Sequence, residues 1–206
     1  MIEQLAPEIL TTSVQHLTMV LIAVCAAVAL AVPAAILLTR RPGARRWTMP
    51  VVNVIQTIPS LALFGFLLPV PLIGGIGRRT AIVALILYAL LPVMRNTLTG
   101  ILGVNRGVRE SAVAMGMTDR QVLLRVELPL AVPAILAGVR IATVTTIGTA
   151  TIAAAIGGGG LGTFIFRGLA MVDARTVLAG AVPAALMAIA ADEVLGWFER
   201  RFSLPS

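Results

Sequence analysis

From Leu17 to Leu38 the chain runs 22 residues without a charge. As an α-helix such a run is about 33 Å long, enough to cross a hydrocarbon core of about 30 Å. Lipid cannot satisfy an open backbone, so a spanning segment of this kind must be helical. Four further apolar stretches follow, at residues 51–70, 80–96, 133–156 and 177–195. The expected fold is therefore an all-α integral membrane protein, one transmembrane domain over 1–206 with five transmembrane helices. Composition agrees: 58% of the 206 residues are hydrophobic and 12% charged, where a soluble domain carries about 25% charge.

The net charge of +7 rests on arginine alone, since the chain has no lysine. In a soluble protein that surplus would point to nucleic acid. Here the arginines lie between apolar runs and aromatics are only 4% of the chain, so topology is the better explanation. With the N-terminus outside, Arg40, Arg41, Arg45, Arg46, Arg95, Arg106, Arg109, Arg120, Arg125, Arg200 and Arg201 fall inside. Only Arg78, Arg79, Arg167 and Arg175 fall outside. Positive residues stay on the cytoplasmic side, which predicts N-out, C-in. Cys25, amid small apolar residues, reads as a buried small hydrophobe. His16, just ahead of the first span, reads as a polar boundary or a proton site. The first sixteen residues are acidic and short of apolar runs, the opposite of a cleavable signal.

Several spans carry polar residues. Asn53, Gln56, Thr57, Pro59 and Ser60 cluster in the first half of the second. Such groups face the bundle or a cavity, as helix–helix glue or as the lining of a path. Arg140 lies inside the fourth span and needs a counter-charge, for which Asp192 or Glu193 near the end of the fifth is expected. The run Gly157–Gly162, GGGGLG, formally satisfies a dinucleotide fingerprint. That fingerprint needs a preceding strand and an acid about twenty residues on; a membrane helix precedes this one and position 182 is valine. A tight turn at the membrane surface is the expectation.

The water-facing loop 105–129 is the longest polar stretch that still looks folded. Within it, ESAVAMGMTDRQVLLRVELP reads as two short helices and a hinge. Gly116 suits a left-handed helix end. Thr118 and Gln121 form a capping box, with Met117 and Val122 as its hydrophobic staple. Leu128-Pro129 is expected to redirect the chain.

These residues carry a resemblance. Glu110-Ser111-Ala112, Gly116 and Val126-x-Leu128-Pro129 resemble the EAA signature of binding-protein-dependent ABC importer permeases, with Ser111 for alanine and Val126 for isoleucine. The five spans around this loop look like the minimal type I permease core, the arrangement of the methionine importer. The stretches QTIPSLAL (56–63), LYALLP (87–92) and IGGGGLG (156–162) are similar to the glycine betaine/carnitine/choline branch. The resemblance implies a permease in a bacterial or archaeal cell membrane, with the loop as the coupling helix that docks on an ATPase subunit. It further implies an extracytoplasmic solute-binding protein, a second permease copy (identical or paralogous), and ATP and Mg²⁺ held by the ATPase with no cofactor on this chain.

No Walker lysine, metal cluster or Ser-His-Asp set competes with that reading. Two alternatives stand: an amino-acid importer permease, and, in another class, a passive channel or membrane scaffold. A channel has no use for a capped, hinged cytoplasmic loop.

Overall fold

The computed structural model describes residues 2–71 and 73–202. They form α1 (Ile2–Thr39), α2 (Pro42–Thr57), α3 (Ser60–Leu67), α4 (Arg78–Leu102), α5 (Arg106–Ala114), α6 (Asp119–Val122), α7 (Leu128–Ile152), α8 (Gly162–Ala170) and α9 (Ala174–Phe202). A π-helical stretch, Leu123–Glu127, joins α6 to α7, and a 3₁₀ turn, Ala153–Ile156, closes α7. No strand occurs among the described residues.

Central α4 packs on α1 and α7; α9 packs on α7 and α8. The α1–α4 contact follows from sequence: Ala23, Ala27, Ala31 and Ala35 recur every fourth residue and are fully buried. A stripe without bulk lets two backbones approach, which drives helix association where lipid competes for apolar surface. Gly100 and Gly138 do the same for α4 and α7, a Cβ at Gly138 lying 2.7 Å from the Asn96 Cβ and 2.9 Å from the Pro92 carbonyl. Phe64, Leu85, Met19 and Ile147 fill the space between. Large apolar residues such as Leu21, Leu30, Leu186 and Ile189 point outward, the arrangement a lipid solvent requires.

Helix ends differ from expectation in several places. The first span belongs to a helix starting at Ile2 rather than near Leu17, and the third extends over 78–102 rather than 80–96. His16 lies within α1 and is fully buried, with Nε2 3.0 Å from the Ile147 carbonyl. Cys25, expected to be buried, is exposed.

The second span is not one helix over 51–70. It breaks at Ile58-Pro59, where α2 and α3 meet at 102°. Ile58 is extended (φ −69°, ψ 126°) and so is Pro59 (φ −54°, ψ 136°), as a pre-proline residue prefers. The break frees the Ile58 carbonyl, which accepts a hydrogen bond from the Tyr88 hydroxyl.

Contacts sort the polar elements to two ends of the bundle. At one end Arg40, Arg109 and Glu127 come together. At the other, Glu8 of α1 pairs with Arg167 of α8 at 2.7 Å, and Gly77 N–H donates to the Ile156 carbonyl at 2.7 Å. Asp173, just ahead of α9, accepts from the Thr176 hydroxyl at 2.6 Å and the Arg175 N–H at 3.1 Å. The Thr176 hydroxyl first, then the Arg175 N–H, holds its carboxyl below the usual carboxylate range.

Candidate functional site

The loop between α4 and α7 is built by local chemistry. Asn105 caps α5, its Oδ1 accepting from Gly107 N–H at 2.8 Å. At the far end Met117 N–H reaches the Ala112 carbonyl (3.2 Å) and Gly116 N–H the Val113 carbonyl (2.9 Å). These paired bonds are a Schellman closure. It needs a left-handed residue, and Gly116 supplies φ +80°. Thr118 then caps α6: its hydroxyl accepts from Gln121 N–H, and the Gln121 carboxamide accepts from Thr118 N–H at 2.8 Å. Helix, bend and capped helix stand where the sequence puts them.

Leu128-Pro129, however, does not redirect the chain. The backbone continues helically from α6 through the π stretch into α7. A proline clashes with the carbonyl four residues back and lacks an N–H. The wider π turn makes room for the ring: Leu128 N–H bonds to the Leu123 carbonyl five residues earlier, and Pro129 is the second residue of α7.

The motif side chains divide by exposure. Ala112 is 2% exposed, so its small size serves packing inside the loop rather than entry into a partner's groove. Glu110, in the second turn of α5, pairs with Arg106 one turn back at 3.0 Å, both well exposed. Ser111 and Pro129 are exposed, Val126 and Leu128 partly buried. Val108 and Val113 of α5 and Met115 at its end are exposed apolar side chains, at 45%, 54% and 75%. Sequence reasoning overlooked them; the amphipathic pattern of residues 106–114 carries the signal.

Glu127 was also overlooked. Its side chain is fully buried and ion-paired to Arg40 Nη2 at 2.7 Å and to Arg109. In the sequence it is the unspecified position between Val126 and Leu128, and Arg40 lies 87 residues away.

The polar group of the second span straddles the Ile58 break, with Asn53, Gln56 and Thr57 on α2 and Pro59 and Ser60 at the start of α3. Gln56 Nε2 donates to the Tyr88 carbonyl at 3.0 Å and Thr57 Oγ1 to the Val54 carbonyl at 2.8 Å. Asn53, Gln56, Thr57 and Pro59 are exposed on the single chain, and Ser60 is partly buried.

Arg140 meets Asp192 by two parallel bonds, 2.6 Å from Nε and 2.7 Å from Nη2. Its second carboxylate is Glu199, at 3.2 Å from Nη1. Glu193 is exposed and is not a partner of the guanidinium. Helix geometry explains the choice: Asp192, Gly196 and Glu199 recur at +4 and +3 on one face, whereas Glu193 is turned about 100° away. Gly196 leaves room for the group, since a Cβ there would lie 3.1 Å from Arg140 Cζ. Nor is the pair deeply buried: these side chains are 29–38% exposed and line a groove of about 380 Å³ between α7 and α9.

Helices long enough to span a bilayer, one broken span and a capped loop at one end define a multi-pass membrane protein. The model of the binding-protein-dependent transport system inner membrane component matches residues 9–204, and the chain belongs to that family. It is 45% identical to the choline transport system permease protein OpuBB of Bacillus subtilis (strain 168), covering 95% of this chain and 89% of that one. It is 42% identical to the osmoprotectant import permease protein OsmW of Salmonella typhimurium, over 88% and 85%. The fold matches an inward-facing MetNI methionine ABC transporter with a TM-score of 0.85 at 25% identity, covering 95% of this chain and 97% of that one.

Proposed function

We propose that this chain is the membrane permease of an ATP-driven importer of glycine betaine, choline, carnitine or a related osmoprotectant. The observation that carries the substrate class is 44–46% identity, over 90–95% of the chain, to permeases named for choline, carnitine and glycine betaine. The methionine transporter shares the architecture, so fold alone does not choose the solute.

In this reading hydrolysis takes place on separate ATPase subunits, which hold ATP and Mg²⁺, and a solute-binding protein delivers the cargo. A second permease copy, identical or paralogous, completes the path, and the polar side chains from Asn53 to Ser60 face it. The N-terminus is outside, which puts loop 105–129 on the cytoplasmic side. Glu110, Ser111, Ala112, Gly116, Val126, Leu128 and Pro129 shape the coupling element, and Val113 and Met115 offer the ATPase an apolar face. Selectivity rests with the binding protein. A quaternary ammonium is best held by an aromatic cage through cation–π attraction, while this chain has one tyrosine and two tryptophans, both tryptophans exposed.

The test is reconstitution with the ATPase and binding protein, measuring ATP-dependent uptake of labelled glycine betaine, choline and carnitine against methionine and histidine. Uptake of the amino acids alone would overturn the substrate class; uptake without ATP would overturn the importer.

Gly116→Val probes the loop within the same assembly. A Cβ at Gly116 meets nothing within 4 Å, so the penalty is conformational, about 1–2 kcal/mol for a left-handed residue and more for a β-branched one. The variant is expected to insert at the wild-type level yet lose solute-stimulated hydrolysis. Full stimulation in this variant would remove the loop from the coupling role.

A further inference from the structure

We infer that Glu127 is the positioning residue that fastens the docking helix α5 to the inner end of α1, so that loop motion reaches two membrane helices rather than one. This rests on the reading of loop 105–129 as the ATPase-coupling element.

Little else holds α5. It packs chiefly on α6 and the π stretch. Its one fully enclosed apolar side chain is Ala112, too small to fix an orientation. Arg109, on the inward side of α5, is the long side chain that reaches the body of the protein, and it ends on Glu127.

From the other direction comes Arg40, in the turn after α1. Its Nη2 lies 2.7 Å from Glu127 Oε2 and 3.5 Å from the Asp119 carbonyl, so it holds the start of α6 as well. Glu127 has no exposure at all, while Arg40 and Arg109 keep 36% and 41%. The geometry is one enclosed anion with two half-exposed cations from different elements. A buried carboxylate is stable only while paired, so neither arginine can leave without cost. The π stretch carrying Glu127 also has a use here: an extra residue in a turn shifts the register of the helix beyond it, and π bulges concentrate at functional positions.

The arrangement predicts a particular failure. Glutamine keeps the shape of Glu127 and removes its charge, and both arginines can then turn to water. The substitution changes no side chain of α5, so its exposed apolar residues Val108 and Val113 remain available for docking. In proteoliposomes holding permease, ATPase and binding protein, Glu127→Gln is expected to retain the ATPase and keep its basal hydrolysis and KM for ATP. The ratio of hydrolysis with and without loaded binding protein should fall about tenfold, within the usual range of coupling factors. Arg109→Gln should lower the ratio in the same direction, Arg109→Lys should largely restore it, and the double variant Arg109→Gln/Glu127→Gln should be no worse than Glu127→Gln.

Wild-type stimulation in both single variants overturns the proposal. So does loss of ATPase retention in step with the ratio, which would make Glu127 a plain stability residue. If Glu127→Gln does not reach the membrane, Arg109→Gln decides, because its half-exposed side chain leaves Glu127 still paired with Arg40. A wild-type complex with no stimulation at all would instead sink the coupling role of the loop, and this inference with it.

Discussion

Gly162→Ala is expected to remove the protein from the membrane fraction. A Cβ at this position would stand 1.8 Å from the Thr151 carbonyl oxygen, 2.7 Å from its carbon and 3.0 Å from the Ala154 Cβ. Two of those atoms belong to the backbone of the last turn of α7, so no rotamer change relieves the clash. Moving α8 away instead would unseat Leu161 and Phe164, both fully buried, and Gly180 of α9, whose own Cβ would lie 2.5 Å from the Leu161 carbonyl. Overpacking costs about 1–3 kcal/mol where neighbours yield; here they cannot, and the effect should lie at or beyond the upper figure. Membrane abundance and the melting temperature in detergent are the readouts. Gly65→Ala is the control, because nothing lies within 4 Å of its Cβ. If the two variants behave alike, the close packing of α8 on α7 is not what holds this end together.

Arg140→Asp should be nearly as damaging, and one second change should partly repair it. The substitution gathers three carboxylates, at 140, 192 and 199, on the facing sides of α7 and α9. Like charges at that range oppose folding. Adding Asp192→Arg returns a cation to the centre of the group and is expected to recover part of the folded population. Adding Glu193→Arg is not, because that side chain is turned away from α7. Monodisperse protein recovered from membranes after detergent extraction measures both. Equal rescue by the two second-site changes would show that net charge rather than the facing geometry matters.

The features legible in the sequence and those hidden in it divide along physical lines. Span existence was legible because an uncharged run of twenty residues has few other fates. The loop was legible because its capping is local: Gly116, Thr118 and Gln121 act on neighbours within four residues. Prolines were not. Pro33, Pro92, Pro133 and Pro183 lie inside unbroken helices, while Pro59 breaks one. The distinction is tertiary, since the Tyr88 hydroxyl is there to take the carbonyl that the break releases. Glu127 was hidden for the same reason, its partner Arg40 being remote in sequence. Glu199 is different: seven residues after Asp192, it is within reach of helix arithmetic, whereas proximity to the span end alone points to Glu193. The glycine run is the turn its composition implies, with Gly157, Gly159 and Gly160 all at positive φ. That it rests on α1, with a Cβ at Gly160 3.0 Å from His16 Nδ1, could not be read from spacing.

Because the π stretch carries the chain past Pro129 without a corner, residues 119–156 form one helical rod of 38 residues. Its length is roughly 57 Å at 1.5 Å per residue, nearly twice the thickness of a hydrocarbon core of about 30 Å. A tilt of about 5° around its midpoint would swing each tip by about 2–3 Å, with no bond broken along the way. A continuous rod of this kind hands a displacement at one tip on to the other. A corner at Leu128-Pro129 would have made it two struts and a hinge, and a hinge absorbs a push instead of passing it on.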